Sequence, residues 1–324
     1  MISPTEILVT GASGFLGHGL IKHLSRNSSF NILALARTSN VNFPDNVTLS
    51  LVPGDDIFTG ELPLRKGQVV VHLAARAHVT SETCSVPLDL FRSVNVDGAL
   101  NVARQALSVG VKRFIFISSI GVNGSNTHGT AFTEQSPPLP HADYALSKLE
   151  AEQGLWDLFK GSDVELVVIR PPLVYAGHAP GNFARLLRLV ASKAPLPFAA
   201  IENKRSMVAL ENLVDFISLC IDHPAAADEL FLISDGADVS TADIIRHLRA
   251  GMNLKNYLFP FPELLMRYGA SVFGKQTAYM QLCGSLCIDS SKARNLLGWF
   301  PKLTPEEALR KAGQNYQKSA ALRP

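Results

Sequence analysis

Tyr144 and Lys148 stand four residues apart in Tyr144-Ala145-Leu146-Ser147-Lys148, the spacing that puts two side chains on one face of a helix. A lysine ammonium beside a phenol favours the phenolate, so the pair is expected to lower the tyrosine pKa and let Tyr144 exchange a proton near neutrality. Upstream, the apolar run Arg113–Ser118 ends in Ser118-Ser119. A hydroxyl at the carboxyl end of a sheet strand can hold a carbonyl or alkoxide against such a tyrosine. Near the amino terminus, the strand-like Glu6–Thr10 runs into Gly11-Ala12-Ser13-Gly14-Phe15-Leu16-Gly17 and then a helix-patterned stretch. In that position Gly11 permits a tight turn, Gly14 lets backbone N–H groups approach a pyrophosphate, and Gly17 lets the helix sit close on the sheet. Ser13, Phe15 and Leu16 belong to the same cradle. A glycine turn or a YxxxK is weak alone. Joined to each other, to Ser118-Ser119 and to Asn95 in the SVNVDG stretch, they outline one dinucleotide site.

The end of the second strand selects the dinucleotide. NAD sites place a carboxylate there for the ribose 2′-hydroxyl, whereas NADP sites avoid it and offer an arginine. The residues at that point are Ala36-Arg37-Thr38-Ser39, and Arg37 can pair bidentately with a 2′-phosphate. NADP is therefore preferred, with NAD possible. Asp55 or Asp56, after the third strand, is placed to meet the adenine amino group.

The elements that must hold these groups follow from the pattern. Glu6–Thr10, Asn31–Ala36, Val47–Val52, Val69–Leu73, Arg113–Ser118 and Val164–Arg170 read as near-continuous apolar strands. They alternate with helical stretches at Gly14–Arg26, Leu88–Leu107 and Tyr144–Phe159, which predicts an α/β fold with a parallel sheet covered on both faces. After Arg170 prolines break the rhythm around a helix-like GNFARLLRLVASK, and Glu229–Ser234 could return to the sheet. The expectation is a Rossmann-type doubly wound sheet over 1–175 plus about 208–236. A smaller mixed lobe takes 176–207 and 237–324. The stretch Tyr257–Phe273 is apolar enough for a membrane or partner surface, although packing within the small lobe is the expectation.

Composition narrows the class. With 324 residues, 47% of them hydrophobic and a net charge of +2, the chain can bury a large core but carries no basic field suited to nucleic acid. Four cysteines, Cys84, Cys220, Cys283 and Cys287, are too few for a disulfide framework. Cys283 and Cys287 are too widely spaced for a CxxC pair and no histidine accompanies them, so they read as reduced core thiols rather than metal ligands. No apolar run reaches a membrane span and MISPTEILVTG lacks a basic leader, so a soluble cytoplasmic protein is expected.

The motifs together resemble the nucleotide-sugar epimerase/dehydratase family of extended short-chain dehydrogenase/reductases. The matching segments are TGASGFLG (10–17), VHLAARAHV (71–79), VNVDG (94–98), FISSIGVNG (116–124), YALSK (144–148), RPPLVYAG (170–177), KRSMVALENLVD (204–215) and DSSKARNLLGW (289–299). The resemblance implies Ser119, Tyr144 and Lys148 as the catalytic set, with Ser118 beside them. It implies Leu73, Ala74 and Ala75 along the pyrophosphate, Asn95 behind it, and Pro171 and Pro172 near the nicotinamide. It implies substrate contacts from Ser119 and Val122 and, in the small lobe, from Asn182 and Phe183 to diphosphate and uracil and from Arg205 to phosphate. Lys292 and Arg294 either assist or solvate a helix. A homodimer is also implied by the family.

Departures from sub-family patterns narrow the reaction. Relatives that dehydrate sugars carry Thr-Asp-Glu where this chain has Ser119-Ile120-Gly121, so elimination lacks its acid and base. Relatives that epimerise C3 and C5 place a cysteine at Gly121, and His178 alone reads as a loop histidine. Oxidoreduction at C4 of a UDP-sugar remains. Arg37 favours NADPH-dependent reduction of a UDP-4-keto-6-deoxy-N-acetylhexosamine, as in bacterial O-antigen pathways. The alternative is a 4-epimerase acting on UDP-glucose or UDP-N-acetylglucosamine with bound NAD. A non-catalytic dinucleotide sensor is the reading from another class, but such proteins commonly lose the tyrosine or lysine.

Overall fold

The computed structural model describes residues 4–39, 41–52, 60–77 and 87–321. Its strands are β1 (Thr5–Thr10), β2 (Phe30–Ala36), β3 (Val47–Leu51), β4 (Val69–His72), β5 (Arg113–Ile117), β6 (Glu165–Arg170), β7 (Leu173–Tyr175), β8 (Met207–Ala209) and β9 (Glu229–Leu232). Seven of them form one sheet in the order β3-β2-β1-β4-β5-β6-β9, and every pairing is parallel. The ELFLIS segment thus does return to the sheet, with Val167 opposite Glu229.

Alternation along the strands feeds two cores. Ile7 and Val9 face α1 (Phe15–Leu24), while Leu8 faces the opposite layer. That layer is built from α3 (Gly98–Val109) and α4 (Asp143–Phe159), which follow α2 (Pro87–Arg92). A strand whose two faces are both covered must be apolar throughout, as these are. The chain winds outward from β1 to β3 and then crosses back to β4, so the strand order reverses between β1 and β4. Ligands bind at such a switch point, outside the carboxyl ends of the strands.

The helix expected over Leu88–Leu107 is interrupted. A π-helical turn occupies Ser93–Asp97 and separates α2 from α3. Such a bulge inserts one residue into the helical ladder, and here it carries the buried Asn95 into contact with Arg76 and Ser147. That demand is tertiary, which is why local periodicity missed it.

Past β6 the chain enters a second apolar cluster. Its helices are α5 (Gly181–Ala191), then, after α6 (Leu210–Asp222) on the sheet, α7 (Thr241–Gly251), α8 (Glu263–Val272) and α9 (Gln276–Cys283). α10 (Ser291–Leu297) returns to β9, and α11 (Pro305–Ala321) packs along α7. β7 and β8 form a separate parallel pair at its base. Among the described residues no helix is long and apolar enough to cross a membrane.

One expectation holds only in part. Leu258 and Met266 of Tyr257–Phe273 pack against the small-lobe core, but no residue of α8 is fully buried, and Leu264 and Phe273 are 79% and 78% exposed. At helical spacing Leu264, Leu265, Tyr268 and Val272 share one arc, and Met266 lies across from it. Only Met266 of these reaches the second core.

Candidate functional site

The carboxyl ends of β1, β4, β5 and β6 carry the sequence motifs side by side. After β1, Gly11 has φ +66°, the left-handed region that only glycine enters freely. A Cβ there would lie 2.7 Å from the Ala74 nitrogen, and one at Gly17 would lie 2.2 Å from the Gly11 carbonyl oxygen. Gly14 caps α1 without a side chain, no acid occupies the first turn, and Ser13 and Gly14 are exposed. The helix therefore presents unsatisfied N–H groups and its positive end to an open cradle, which suits a pyrophosphate.

Leu73, Ala74 and Ala75 are pinned beside that cradle. The Thr10 hydroxyl accepts from the Ala74 N–H at 3.2 Å and lies 3.0 Å from His72 Nδ1. His72 is fully buried, and desolvation, with the Lys148 charge second, lowers its pKa to about 3. It is a neutral structural histidine. Asn95 does not reach outward either: its oxygen accepts from Arg76 N–H at 2.8 Å and its amide donates to the Arg76 carbonyl and the Ser147 hydroxyl. Its role is to tie the β4 loop to α4. Arg37 is exposed just past β2 and forms no ion pair among the described residues. Asp55 and Asp56 lie outside the described residues, as does Cys84.

At the end of β5, Ser118 is buried and its hydroxyl finds no partner among the described residues. A buried hydroxyl without a partner facing a cradle is a place for a ligand polar group. Ser119 is extended and caps a 3-10 turn, its Oγ accepting from the Gly121 N–H at 3.1 Å. Ile120 N–H donates to the Pro171 carbonyl at 2.9 Å, so the serine turn is tied to the buried Pro171-Pro172 step after β6. A Cβ on Gly121 would lie 3.2 Å from Ala145 Cβ and 3.3 Å from Ser119 Oγ. Gly121 thereby lets the serine turn sit directly on the first turn of α4, which carries Tyr144.

Lys148 lies one turn along α4. Its ammonium donates to the Ile117 carbonyl at 2.8 Å and sits 4.4 Å above the Phe116 ring. Burial lowers its pKa to about 7, against a smaller opposing pull from Glu152. Tyr144 is partly exposed, and desolvation raises its pKa to about 12. The sequence led to the opposite expectation, a tyrosine lowered by its lysine. In the protein alone desolvation of the phenol sets the direction, and Lys148, its own pKa lowered by burial, does not offset it. Beneath the pair, Glu152 accepts from Arg170 Nε at 2.9 Å, and Arg170 Nη1 donates to Asn123 at 3.0 Å. All three are buried. This network locks α4 to β6, and nothing local in the sequence signalled it.

The small lobe brings Asn182, Phe183 and Arg205 together around one cavity of about 190 Å³. Phe183 is buried against Tyr175, ring centroids 5.4 Å apart. Arg205 donates to the Gly284 carbonyl at 2.9 Å, and Asn182 donates to Gln281 at 3.0 Å. Gln281 and Leu282 of α9 and Thr241 of α7 complete the wall, and sequence reasoning missed them. Leu173, two residues past Pro171, also lines the cavity and so links it to the sheet edge. Val122 does not line this space: it is wholly buried within the 3-10 turn. Lys292 is a tie between α10 and β9, 2.5 Å from Glu229 and 2.8 Å from the Leu230 carbonyl. His178 packs edge-on to Phe15 at 5.2 Å.

A glycine turn before a bare helix N-terminus, Tyr144 one turn from Lys148, and an apolar cavity lined by Arg185 and Arg205 have room and charge for a dinucleotide and a second phosphorylated ligand. Residues 7–233 match the NAD dependent epimerase/dehydratase family. The chain is 43% identical over 315 residues to the UDP-glucose 4-epimerase of Vibrio cholerae, covering 97% of this chain and 96% of that one. It is 29% identical over 271 residues, 83% of this chain and 77% of the relative, to the N-acetyl-alpha-D-glucosaminyl-diphospho-ditrans,octacis-undecaprenol 4-epimerase of Escherichia coli O157:H7. The fold superimposes with a TM-score of 0.75 on a UDP-glucose 4-epimerase with UDP-glucose from Thermotoga maritima, at 22% identity over 98% of this chain and all of that one. On these grounds the chain belongs to the NAD dependent epimerase/dehydratase family, within the extended short-chain dehydrogenase/reductases.

Proposed function

We propose that this chain carries out nicotinamide-dependent oxidoreduction at C4 of a UDP-sugar. The observation that carries the reading is the meeting of the glycine cradle with Ser119, Tyr144 and Lys148 at one sheet edge, where the Thr10–Ala74 and Ile120–Pro171 hydrogen bonds fix the loops. Gly11, Gly14 and Gly17 with Leu73–Ala75 would hold the pyrophosphate, and Pro171 and Pro172 would flank the nicotinamide. When bound, that group supplies or accepts the hydride. The Ser119 hydroxyl then donates to the sugar C4 oxygen, and Tyr144 holds the proton that the oxygen gains or loses. An anionic dinucleotide beside Lys148 favours its ammonium form, and that charge in turn favours the Tyr144 phenolate. Asn182, Phe183 and Arg205 would hold the nucleoside diphosphate, Arg205 by charge. In this reading 1–175 with about 208–236 bind the dinucleotide, and 176–207 with 237–324 bind the sugar nucleotide.

The direction of hydride flow has two readings, each with its own support. Arg37, exposed after β2 with no carboxylate in Ala36-Arg37-Thr38-Ser39, favours NADPH and one-way reduction of a UDP-4-keto-6-deoxy-N-acetylhexosamine. The 43% identical relative named as a UDP-glucose 4-epimerase, together with structural neighbours solved with NAD such as the UDP-glucuronic acid 4-epimerase of Bacillus cereus, favours 4-epimerisation with retained NAD. One experiment separates them: NADPH and NADH consumption with UDP-4-keto-6-deoxy-N-acetylglucosamine, run beside interconversion of UDP-hexoses. Stoichiometric NADPH loss supports the reductase. Interconversion with no net change in a bound nicotinamide supports the epimerase, and neither outcome would overturn the C4 assignment.

A further inference from the structure

α8 is amphipathic in the wrong sense for a helix that serves only the core. Leu264, Leu265, Tyr268 and Val272 form an outward apolar arc, 56–79% exposed. Glu263 and Arg267 stand on its flank. The neighbouring Tyr257, Phe259, Phe261 and Phe273 add four aromatic rings, each more than a third exposed. Water-facing apolar surface on this scale is costly unless something covers it.

We infer that this face docks the protein on the surface of an anionic lipid bilayer. Two observations favour a bilayer over a protein. The first is charge: residues 255–283 carry Lys255, Arg267 and Lys275 against the single acid Glu263, and the Glu263 carboxylate already accepts from the Tyr279 hydroxyl at 2.9 Å. Basic side chains flanking an aromatic and leucine face are the composition of helices that lie in the interface of anionic membranes. The second is shape. Leu264, Met280 and Arg267 line an open cleft of about 570 Å³ between α8 and α9. Leu264 and Met280 with one guanidinium, beside the polar ends of Tyr268, Ser271, Gln276 and Tyr279, suit a phosphate head on acyl chains.

The placement has a consequence for the cavity. α9 packs against α8 and contributes Ala278, Gln281 and Leu282 to the Asn182–Arg205 cavity wall. Docking through α8 therefore brings that cavity to the lipid surface. The inference stands on exposure and charge and does not depend on the redox assignment.

The test is flotation of the full chain with vesicles of phosphatidylcholine alone and of phosphatidylcholine mixed with phosphatidylglycerol. The wild-type chain is expected to float with the anionic vesicles and to be released by high salt. The exposed pair Leu264→Ser and Phe273→Ser should weaken that binding about tenfold or more while leaving thermal unfolding and dinucleotide binding unchanged. Substituting Lys275→Glu with Arg267→Glu should act in the same direction without removing apolar surface. Failure of the wild type to float would overturn the proposal, as would flotation indifferent to both double variants. A shift from dimer to monomer in the Leu264/Phe273 variant without vesicle binding would assign the face to a second copy instead.

Discussion

The sheet edge and the small-lobe cavity solve the problem of holding a ligand in opposite ways. At the edge, main-chain geometry dominates: Gly11 in the left-handed region, the bare N-terminus of α1, and loops fastened by the Ala74–Thr10 and Ile120–Pro171 hydrogen bonds. In the cavity, side chains from α5, α7 and α9 converge with Arg205, and the wall is apolar apart from Arg185, Arg205 and a few uncharged polar ends. The edge is rigid because it rests on the covered parallel sheet. The cavity leans on α9 and, through it, on an α8 that has no fully buried residue. The first arrangement suits chemistry that tolerates little displacement, the second suits adjustment to different sugar nucleotides.

Substitutions that sharpen this contrast should differ in kind as well as size. The largest effect is expected from Tyr144→Phe at the edge: turnover should fall about 10²–10⁴-fold, with dinucleotide titration unchanged. Full turnover in that variant would break the assignment of the edge as the reacting centre. Next, Glu152→Ala leaves the Arg170 guanidinium buried with only Asn123, a loss of about 3–5 kcal/mol in denaturant unfolding. Cavity substitutions should be gentler. Arg205→Met is expected to raise KM for the sugar nucleotide about tenfold while kcat holds, because the lost charge binds ground and transition states alike. A fall in kcat of the same size would mean the cavity takes part in the chemistry.

A last predicted effect is a pH dependence of dinucleotide binding. In the free protein burial holds Lys148 near 7, so the side chain is cationic below that pH and neutral above it. A bound dinucleotide pyrophosphate favours the cation, so binding takes up a proton above about pH 7. Dinucleotide affinity should then be flat below that point and weaken by up to about tenfold per pH unit above it. Lys148→Met should flatten the profile, measured by fluorescence titration across the pH range.

Much of the edge was readable because its signals are local. Strand apolarity, the glycine spacing and the Tyr144–Lys148 interval each lie within a few residues, and the structure sets them in register on a seven-stranded sheet. What sequence could not supply is long-range. The π-helical turn at Ser93–Asp97 answers Arg76 and Ser147. Gln281 meets Asn182 from 99 positions away. The raised Tyr144 pKa comes from burial, which no spacing encodes. An apolar stretch such as Tyr257–Phe273 has the same composition whether it fills a core or faces outward, and here all but Leu258 and Met266 of its large apolar side chains face outward. The cavity residues Asn182, Phe183 and Arg205 were reachable only through resemblance, since none stands in a pattern that spacing alone would single out.

The most direct test of the central claim follows the hydride. The wild-type chain and Tyr144→Phe would be loaded with reduced nicotinamide cofactor deuterated at its C4 and given a UDP-4-keto-6-deoxy-N-acetylhexosamine. The product would then be read by NMR. Deuterium on sugar C4 with the wild type, and none with Tyr144→Phe, is the expected result for either direction of net reaction. Deuterium at another carbon, or equal transfer by both proteins, would contradict the placement of C4 between the cofactor and Tyr144.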